Sequence, residues 1–332
     1  MLSSEAVTDA GPASGAAPEY AETVLPALAR WAASGLRTAL VSLAGIDGGA
    51  PRPIGAQMAV AEDGRAVGYI SGGCLEGALI AEARAAMAEG RNRLVRYGAG
   101  SPYIDVRLPC GGGLDIYIDQ QLPQLFAGEM AARFESRLPF RLETDMSSGA
   151  SRLYPWTRGA PTAEQSTPVF SRIYWPQMRL ALSGAGPAVP ILAALAAEAG
   201  WLVDVTTPHT PAPRLRTLGG VSVQQPHGAL LASAIRADAW TAAAVIFHDH
   251  EWETPLLKAL LRTDCFYIGA VGSRRVHELR LQKLRDEGVP EAELSRIHGP
   301  AGLIGQTRSP ATLAISILAE IAGVARDKGI IA

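Results

Sequence analysis

The sequence predicts an α/β protein in two parts: an N-terminal mixed α/β domain followed by a C-terminal Rossmann-like, doubly wound parallel sheet. Three observations carry this expectation. At 332 residues the chain is long enough for about two domains of ordinary size. From Met178 onward, short continuous apolar runs alternate with helix-length segments, the pattern of a parallel sheet covered on both faces. Before residue 120 the pattern is different, with a hairpin signal at Asp63-Gly64 and an amphipathic run from Leu75 to Glu89.

In the N-terminal part, Val24, Leu28 and Trp31 recur at helical spacing, and Gly35 stands where a C-terminal cap would sit, so a helix is expected over 19–34. Arg37 to Ala44 is a short apolar strand, and Gly45 to Pro53 is too rich in glycine and proline to be anything but a loop. Ile54 to Ala61 and Arg65 to Ile70 flank Asp63-Gly64 as the arms of a hairpin. Leu75, Leu79, Ile80, Ala83 and Met87 fall on one side of the next helix. Short strands follow at Leu94 to Tyr97, Ile104 to Leu108 and Leu114 to Ile118.

Residues 120–177 carry several prolines, polar runs and the aromatics Tyr154, Trp156, Tyr174 and Trp175, and read as a connector bearing ribbon strands at Phe140 to Glu143 and Val169 to Tyr174. The C-terminal domain, 178–327, places strands at Met178 to Leu182, Leu202 to Thr206, Val221 to Gln224, Ala243 to Phe247 and Tyr267 to Val271. Helices are expected at Val189 to Ala199, Gly228 to Ile235, Thr254 to Leu261, Arg274 to Glu287 and Ala311 to Ala325. The N-terminal domain proper is 19–119, and the small, polar residues 1–18 read as a disordered tail rather than a secretion signal.

Composition narrows the function. With 48% hydrophobic and 19% charged residues and a net charge of -2, the chain has no field to gather nucleic acid or an anionic membrane. Even the apolar run Ala314 to Ala325 contains Glu320, so no membrane span is expected. The three cysteines, Cys74, Cys110 and Cys265, match neither a disulfide framework nor a zinc-finger spacing, which fits a reducing cytoplasm.

Two stretches draw the chemistry together: Ser71-Gly72-Gly73-Cys74-Leu75-Glu76 and Leu108-Pro109-Cys110-Gly111-Gly112-Gly113. Each sets a cysteine beside glycines, which lack a Cβ and let a ligand approach the main chain. Cys74 precedes a helix whose positive end favours a thiolate, a donor suited to a soft metal or a sulfur atom. In the second domain Ser183-Gly184-Ala185-Gly186-Pro187 opens a helix after a strand, the context of a dinucleotide loop. Val189, Pro190 and the acid-free Thr206-Thr207-Pro208-His209 break that fingerprint, so an ordinary NAD(P) site is not expected. His248-Asp249-His250-Glu251 follows the fourth strand at the edge where ligands bind in open sheets, and either holds a metal or is a polar loop. In Gly272-Ser273-Arg274-Arg275, amides, a hydroxyl and guanidinium groups can converge on a phosphate.

With those residues in place the chain resembles the xanthine dehydrogenase accessory proteins of the XdhC and CoxI type, over about residues 19–119 and 178–325. The resemblance rests on Ile54-Gly55-Ala56-Gln57-Met58, the two cysteine stretches, His248-Asp249-His250, Tyr267-Ile268-Gly269, Gly272-Ser273-Arg274-Arg275 and Ile315-Ser316-Ile317-Leu318-Ala319-Glu320. It implies a cytoplasmic, homodimeric maturation factor that binds molybdenum cofactor, plain or as its cytosine dinucleotide, and hands it to an apo-molybdoenzyme of the xanthine dehydrogenase, aldehyde oxidase or carbon monoxide dehydrogenase kind. A cysteine desulfurase is the implied sulfur donor. On this resemblance Cys74 and Cys110 are candidates for touching molybdenum or its sulfido group. Gly72, Gly73, Glu76, Gly111 and Gly112 lie beside them, and Gly184, Gly186, His248, Gly272, Ser273 and Arg274 are the second-domain candidates. The sequence departs from the family at Thr207-Pro208-His209, where an acid, proline and arginine are usual. It departs again at Pro187, usually histidine, and at Gly302-Leu303-Ile304-Gly305, which lacks the frequent aspartate. The alternatives are an NAD(P)-dependent oxidoreductase using the Gly184 loop and a metal-dependent enzyme centred on His248, His250 and Glu251.

Overall fold

A computed structural model describes residues 19, 21–101, 111–157, 161–166, 168–226, 230–247, 250–305 and 307–331. The chain divides into two compact units, Met1–Pro176 and Gln177–Ala332.

The first unit is built on a five-stranded antiparallel sheet of β1 (Thr38–Asp47), β2 (Gln57–Ala61), β3 (Ala66–Gly68), β4 (Arg93–Gly98) and β5 (Gly113–Asp119), in the order β3-β2-β1-β5-β4. The Asp63-Gly64 turn joins β2 to β3 as expected, with Gly64 at φ 91°. Helix α1 (Leu25–Ala33) starts later than its periodicity suggests because Pro26 belongs in a first turn, where a missing N–H costs nothing. Helix α2 (Glu76–Glu89) buries Leu79, Ala83, Ala86 and Met87 on one face of the sheet and ends on Gly90 at φ 70°. The expected strand at Ile104 to Leu108 lies outside the described residues.

The segment expected as a connector holds more than ribbons. Helix α3 (Leu122–Glu135) precedes β6 (Phe140–Asp145), β7 (Ser151–Pro155), β8 (Ala163–Ser166) and β9 (Val169–Tyr174), which pair antiparallel in the order β7-β6-β9-β8. Asp119 starts α3, its Oδ1 accepting from the N–H groups of Gln121 and Leu122 at 3.0 and 2.9 Å. Leu122, Met130, Phe140, Leu142 and Tyr174 share one core cluster with Leu25, Leu28 and Trp31 of α1, on the sheet face opposite α2. Apolar burial against α1 therefore makes this stretch part of the first unit's core.

The second unit is a six-stranded parallel sheet of β10 (Arg179–Gly184), β11 (Leu202–Thr206), β12 (Val221–Gln224), β13 (Thr241–Ile246), β14 (Tyr267–Ala270) and β15 (Ile297–His298). Its order, β12-β11-β10-β13-β14-β15, is that of a doubly wound Rossmann sheet. Helices α4 (Ala188–Glu198), α5 (Leu230–Ser233), α6 (His250–Leu261), α7 (Arg274–Asp286), α8 (Glu291–Leu294) and α9 (Pro310–Asp327) complete it. Strand β15 opens Ile297-His298-Gly299-Pro300-Ala301-Gly302-Leu303, a stretch whose glycines and proline read as a loop, and it continues the sheet at its edge, while α9 packs with α4 in the core of one face. Helix α6 begins at residue 250, so residues 250 and 251 form its first turn instead of a free loop.

Candidate functional site

In the first unit the strand registers settle where the chain leaves the sheet. The end of β1, the start of β2, the end of β3, the end of β4 and the start of β5 all lie at one end, since Gly68 opposes Met58, Met58 opposes Val41, and Gly113 opposes Asp47. The turn running from Gly68 to Cys74 and the glycines 111 and 112 thus leave the sheet toward that end, from strands three spacings or about 14 Å apart, Gly68 level with Val41 of β1 and Gly113 with Asp47. Cys110 itself lies outside the described residues.

The Ser71–Glu76 turn is an exposed tip on a buried base. Gly72 and Gly73 adopt φ 77° and 119°, with no atom within 4 Å of where a Cβ would stand, and Cys74 is exposed. Glu76, 2% exposed, turns back beneath the tip. Its carboxylate accepts from the N–H groups of Ile70 (3.1 Å), Ser71 (2.8 Å), Gly72 (3.2 Å), Gly73 (2.7 Å) and Leu75 (3.2 Å), and from the Ser71 hydroxyl (2.6 Å). Burial pushes this carboxyl upward, but the Ser71 hydroxyl and the amides of Ser71 and Ile70 outweigh it and hold the pKa below the ordinary value. The sequence places Glu76 beside a cofactor; with its oxygens already saturated, it holds the loop instead.

The glycines near Cys110 separate in the same way. Gly111, at φ 69°, is open. Gly112 is buried, and a Cβ there would lie 2.2 Å from the Gly49 carbonyl oxygen, so its close approach is to this chain's own loop and not to a ligand. Below it Arg96 pairs with Asp47 (2.9 Å) and Asp115 (3.0 Å) and bonds the Ala99 carbonyl (2.8 Å).

In the second unit Gly184 plays a packing part similar to Gly112: a Cβ would lie 2.4 Å from the Ile246 carbonyl oxygen, which is how β10 meets the end of β13. Gly186 is open at φ 94° and borders a cleft of about 200 Å³ with Val189, Thr207, His209 and Leu215. The His209 N–H donates to the Thr207 hydroxyl (3.3 Å), and among the described residues no carboxylate lines the cleft to accept from a ribose. His248 and Asp249 lie outside the described residues. Among the described residues no group of three or more His, Cys, Asp or Glu could hold a metal ion.

At the end of β14 the Gly272 turn opens α7. Ser273, expected as an anion ligand, caps that helix, its hydroxyl accepting from the Val276 N–H at 3.2 Å. Arg274 and Arg275 are exposed and, among the described residues, have no hydrogen-bond or ion-pair partner. Beneath them lies a buried ion pair, Arg280 with Glu253 of α6, whose side chains are 4% and 5% exposed. Arg280 also donates to the Val271 carbonyl (2.5 Å) and to His277 Nδ1 (3.2 Å). Burial and the Arg280 charge depress the His277 pKa, and its ring packs where a Gly299 side chain would have to be.

A second network closes the same strand edge. Glu320 of α9 accepts from the Tyr267 hydroxyl and the Gly302 N–H, both at 2.6 Å, and sits 3.4 Å from His298 Nδ1. Burial pushes the Glu320 pKa up, but the bonds from His298, Tyr267 and Gly302 outweigh it and leave the pKa depressed. Burial followed by the Glu320 bond pushes the Tyr267 hydroxyl well above its ordinary range. No sequence pattern singles out Arg280 and Glu253; the Glu320 network has a signal, an acid inside the apolar run Ala314 to Ala325.

Together these features define a two-part α/β protein: an antiparallel half presenting an exposed cysteine on a glycine turn, and a Rossmann half without the ribose-binding acid. The chain belongs to the XdhC and CoxI family, matching that family over residues 31–98 and the XdhC Rossmann domain over residues 180–321. It is 36% identical over 294 residues to the molybdenum cofactor insertion chaperone PaoD of Escherichia coli K12, spanning 88% of this chain and 84% of that protein. It is also 25% identical over 319 residues to a probable xanthine dehydrogenase component of Bacillus subtilis 168, spanning 85% and 91%. The solved structure of a xanthine dehydrogenase from Bacillus halodurans shares the fold, with TM-score 0.73 and 21% identity over 92% of this chain and 96% of that one. Among the described residues no helix is long and apolar enough to cross a membrane.

Proposed function

We propose that this chain is a molybdenum cofactor chaperone that binds the cofactor and inserts it into an apo-molybdoenzyme. The observation that carries the reading is the 36% identity to an insertion chaperone along most of both chains. Each unit carries a feature compatible with it: the first an exposed cysteine, a soft donor, and the second two arginines at a helix start that have no partner among the described residues and suit a phosphate. In this reading Cys74 contacts the molybdenum centre or its sulfido group, with Cys110 as its candidate companion. Gly72, Gly73 and Gly111 give access to the main chain in the first unit, and Gly272, Arg274 and Arg275 are the phosphate candidates of the second. The partner is an enzyme of the xanthine dehydrogenase, aldehyde oxidase or carbon monoxide dehydrogenase class, with a cysteine desulfurase as sulfur source. The protein acts in the cytoplasm as a homodimer without turning over a substrate.

The test is purification from a host that makes the cofactor, followed by fluorescence of the oxidised pterin. Near-stoichiometric pterin is expected, falling at least tenfold in Cys74→Ala. Absence of pterin from the unaltered protein overturns the cargo; wild-type pterin content in the alanine variant overturns the role of the thiol.

A further inference from the structure

Consecutive N–H groups around the cysteine tip converge on one side chain. Ile70, Ser71 and Gly72 donate to Oε1 of Glu76, and Gly73 and Leu75 donate to Oε2. The Ser71 hydroxyl adds a sixth bond to Oε2 while accepting from the Leu75 N–H at 2.8 Å. From residue 70 to residue 75, one N–H is left out of this arrangement, that of Cys74. Successive amides can point inward this way because Gly72 and Gly73 take positive φ, which a side chain disfavours. A carboxylate has about four lone-pair positions, so six donors saturate it and no oxygen remains for a ligand.

We propose that Glu76 is the positioning residue of this tip: it gathers the neighbouring amides onto itself and leaves the Cys74 N–H and Sγ as the two groups that meet the cargo. Glu76 touches no cargo; it acts through the shape of the turn. The inference rests on the reading of Cys74 as a cargo contact and deepens it, adding a main-chain donor to the soft sulfur. The Cys74 N–H suits an anionic oxygen or sulfur on the bound centre, at hydrogen-bond distance from the turn. Both carboxylate oxygens are needed as acceptors. In Glu76→Gln, whichever way the amide is turned, its NH2 faces at least two main-chain N–H donors and the turn must open. Glu76→Asp keeps the charge and both acceptors but draws them back by about 1.5 Å, one carbon–carbon bond.

The experiment compares the full-length wild type with Glu76→Gln, Glu76→Asp and Cys74→Ala. It reads residue-resolved amide hydrogen exchange, the alkylation rate of Cys74 by iodoacetamide at fixed pH, and the pterin that co-purifies. In the wild type the amides of residues 70–73 and 75 exchange slowly and that of Cys74 fast. Glu76→Gln is expected to speed the protected five at least tenfold, to leave the amides of β1 and β5 unchanged, to alter the alkylation rate and to lower pterin toward the Cys74→Ala level. Glu76→Asp is expected to fall between, and it carries the test if the glutamine variant does not fold. Unchanged exchange and alkylation in both Glu76 variants overturn the proposal, and so does faster exchange with wild-type pterin. A merely structural role would not separate Cys74 labelling and pterin from an intact sheet. If Cys74→Ala keeps its pterin, it is the reading of the cysteine that falls, and exchange in the Glu76 variants still decides whether that carboxylate holds the turn.

Discussion

The turns at 70–76 and 271–275 share a backbone plan and differ in what pins them. In both, a strand ends, a glycine takes positive φ, and a helix begins. The first is held from within by Glu76, in the opening turn of its own helix, and shows a thiol outward. The second is held from below by Arg280, nearly two turns down α7, which ties the Val271 carbonyl to Glu253, 27 residues away on α6, and shows two guanidiniums outward. One local layout therefore yields a soft donor in one unit and a cationic lip in the other, because the charge that pins each turn is buried and the group that faces outward is left to the tip.

The largest break in this comparison should come from Arg280→Ala. It takes the Arg280 guanidinium away from the buried Glu253 carboxylate and should cost about 3–5 kcal/mol. Calorimetry should show the second unit melting on the order of 10 °C lower. A change under about 1 kcal/mol would mean that the pair is not what holds the turn. A smaller effect is expected from Ser273→Ala, which removes the α7 cap and should cost about 1 kcal/mol by denaturant titration, with Arg280 still holding Val271. The smallest stability effect belongs to the double variant Arg274→Ala, Arg275→Ala. Two exposed guanidiniums without partners among the described residues should change stability by no more than about 0.5 kcal/mol, yet co-purified pterin should fall several-fold. Stability loss without pterin loss would assign these arginines to structure and remove the cationic lip from the comparison.

The elements most legible in the sequence are those whose signal is local. Asp63-Gly64 between apolar arms announces a hairpin, and the strand and helix alternation after Met178 announces the Rossmann sheet. Helix α3 escapes because Gly128 weakens its middle, and its helical state depends on burying Leu122 and Met130 against α1. Strand β15 escapes because two residues carry no periodicity of their own; only pairing of Ile297 with Ile268 and of His298 with Gly269 makes them a strand. Among the site residues, a glycine's conformational freedom is readable while its use is not. Gly72 and Gly111 are open, but Gly112 and Gly184 serve contacts with Gly49 and Ile246, partners far along the chain.

The sequence by itself determined the α/β plan with its C-terminal Rossmann sheet and the places where strands yield to helices, because periodicity, glycine turns and caps act over a few residues. The tertiary structure alone decided which polar groups remain available. Glu76 could have faced a ligand and instead folds under its own turn, and Arg280 could have joined the arginines at the surface and instead pairs with Glu253. A buried charge must find its partners within about 3 Å in space, and the spacing of letters along a chain does not specify that distance.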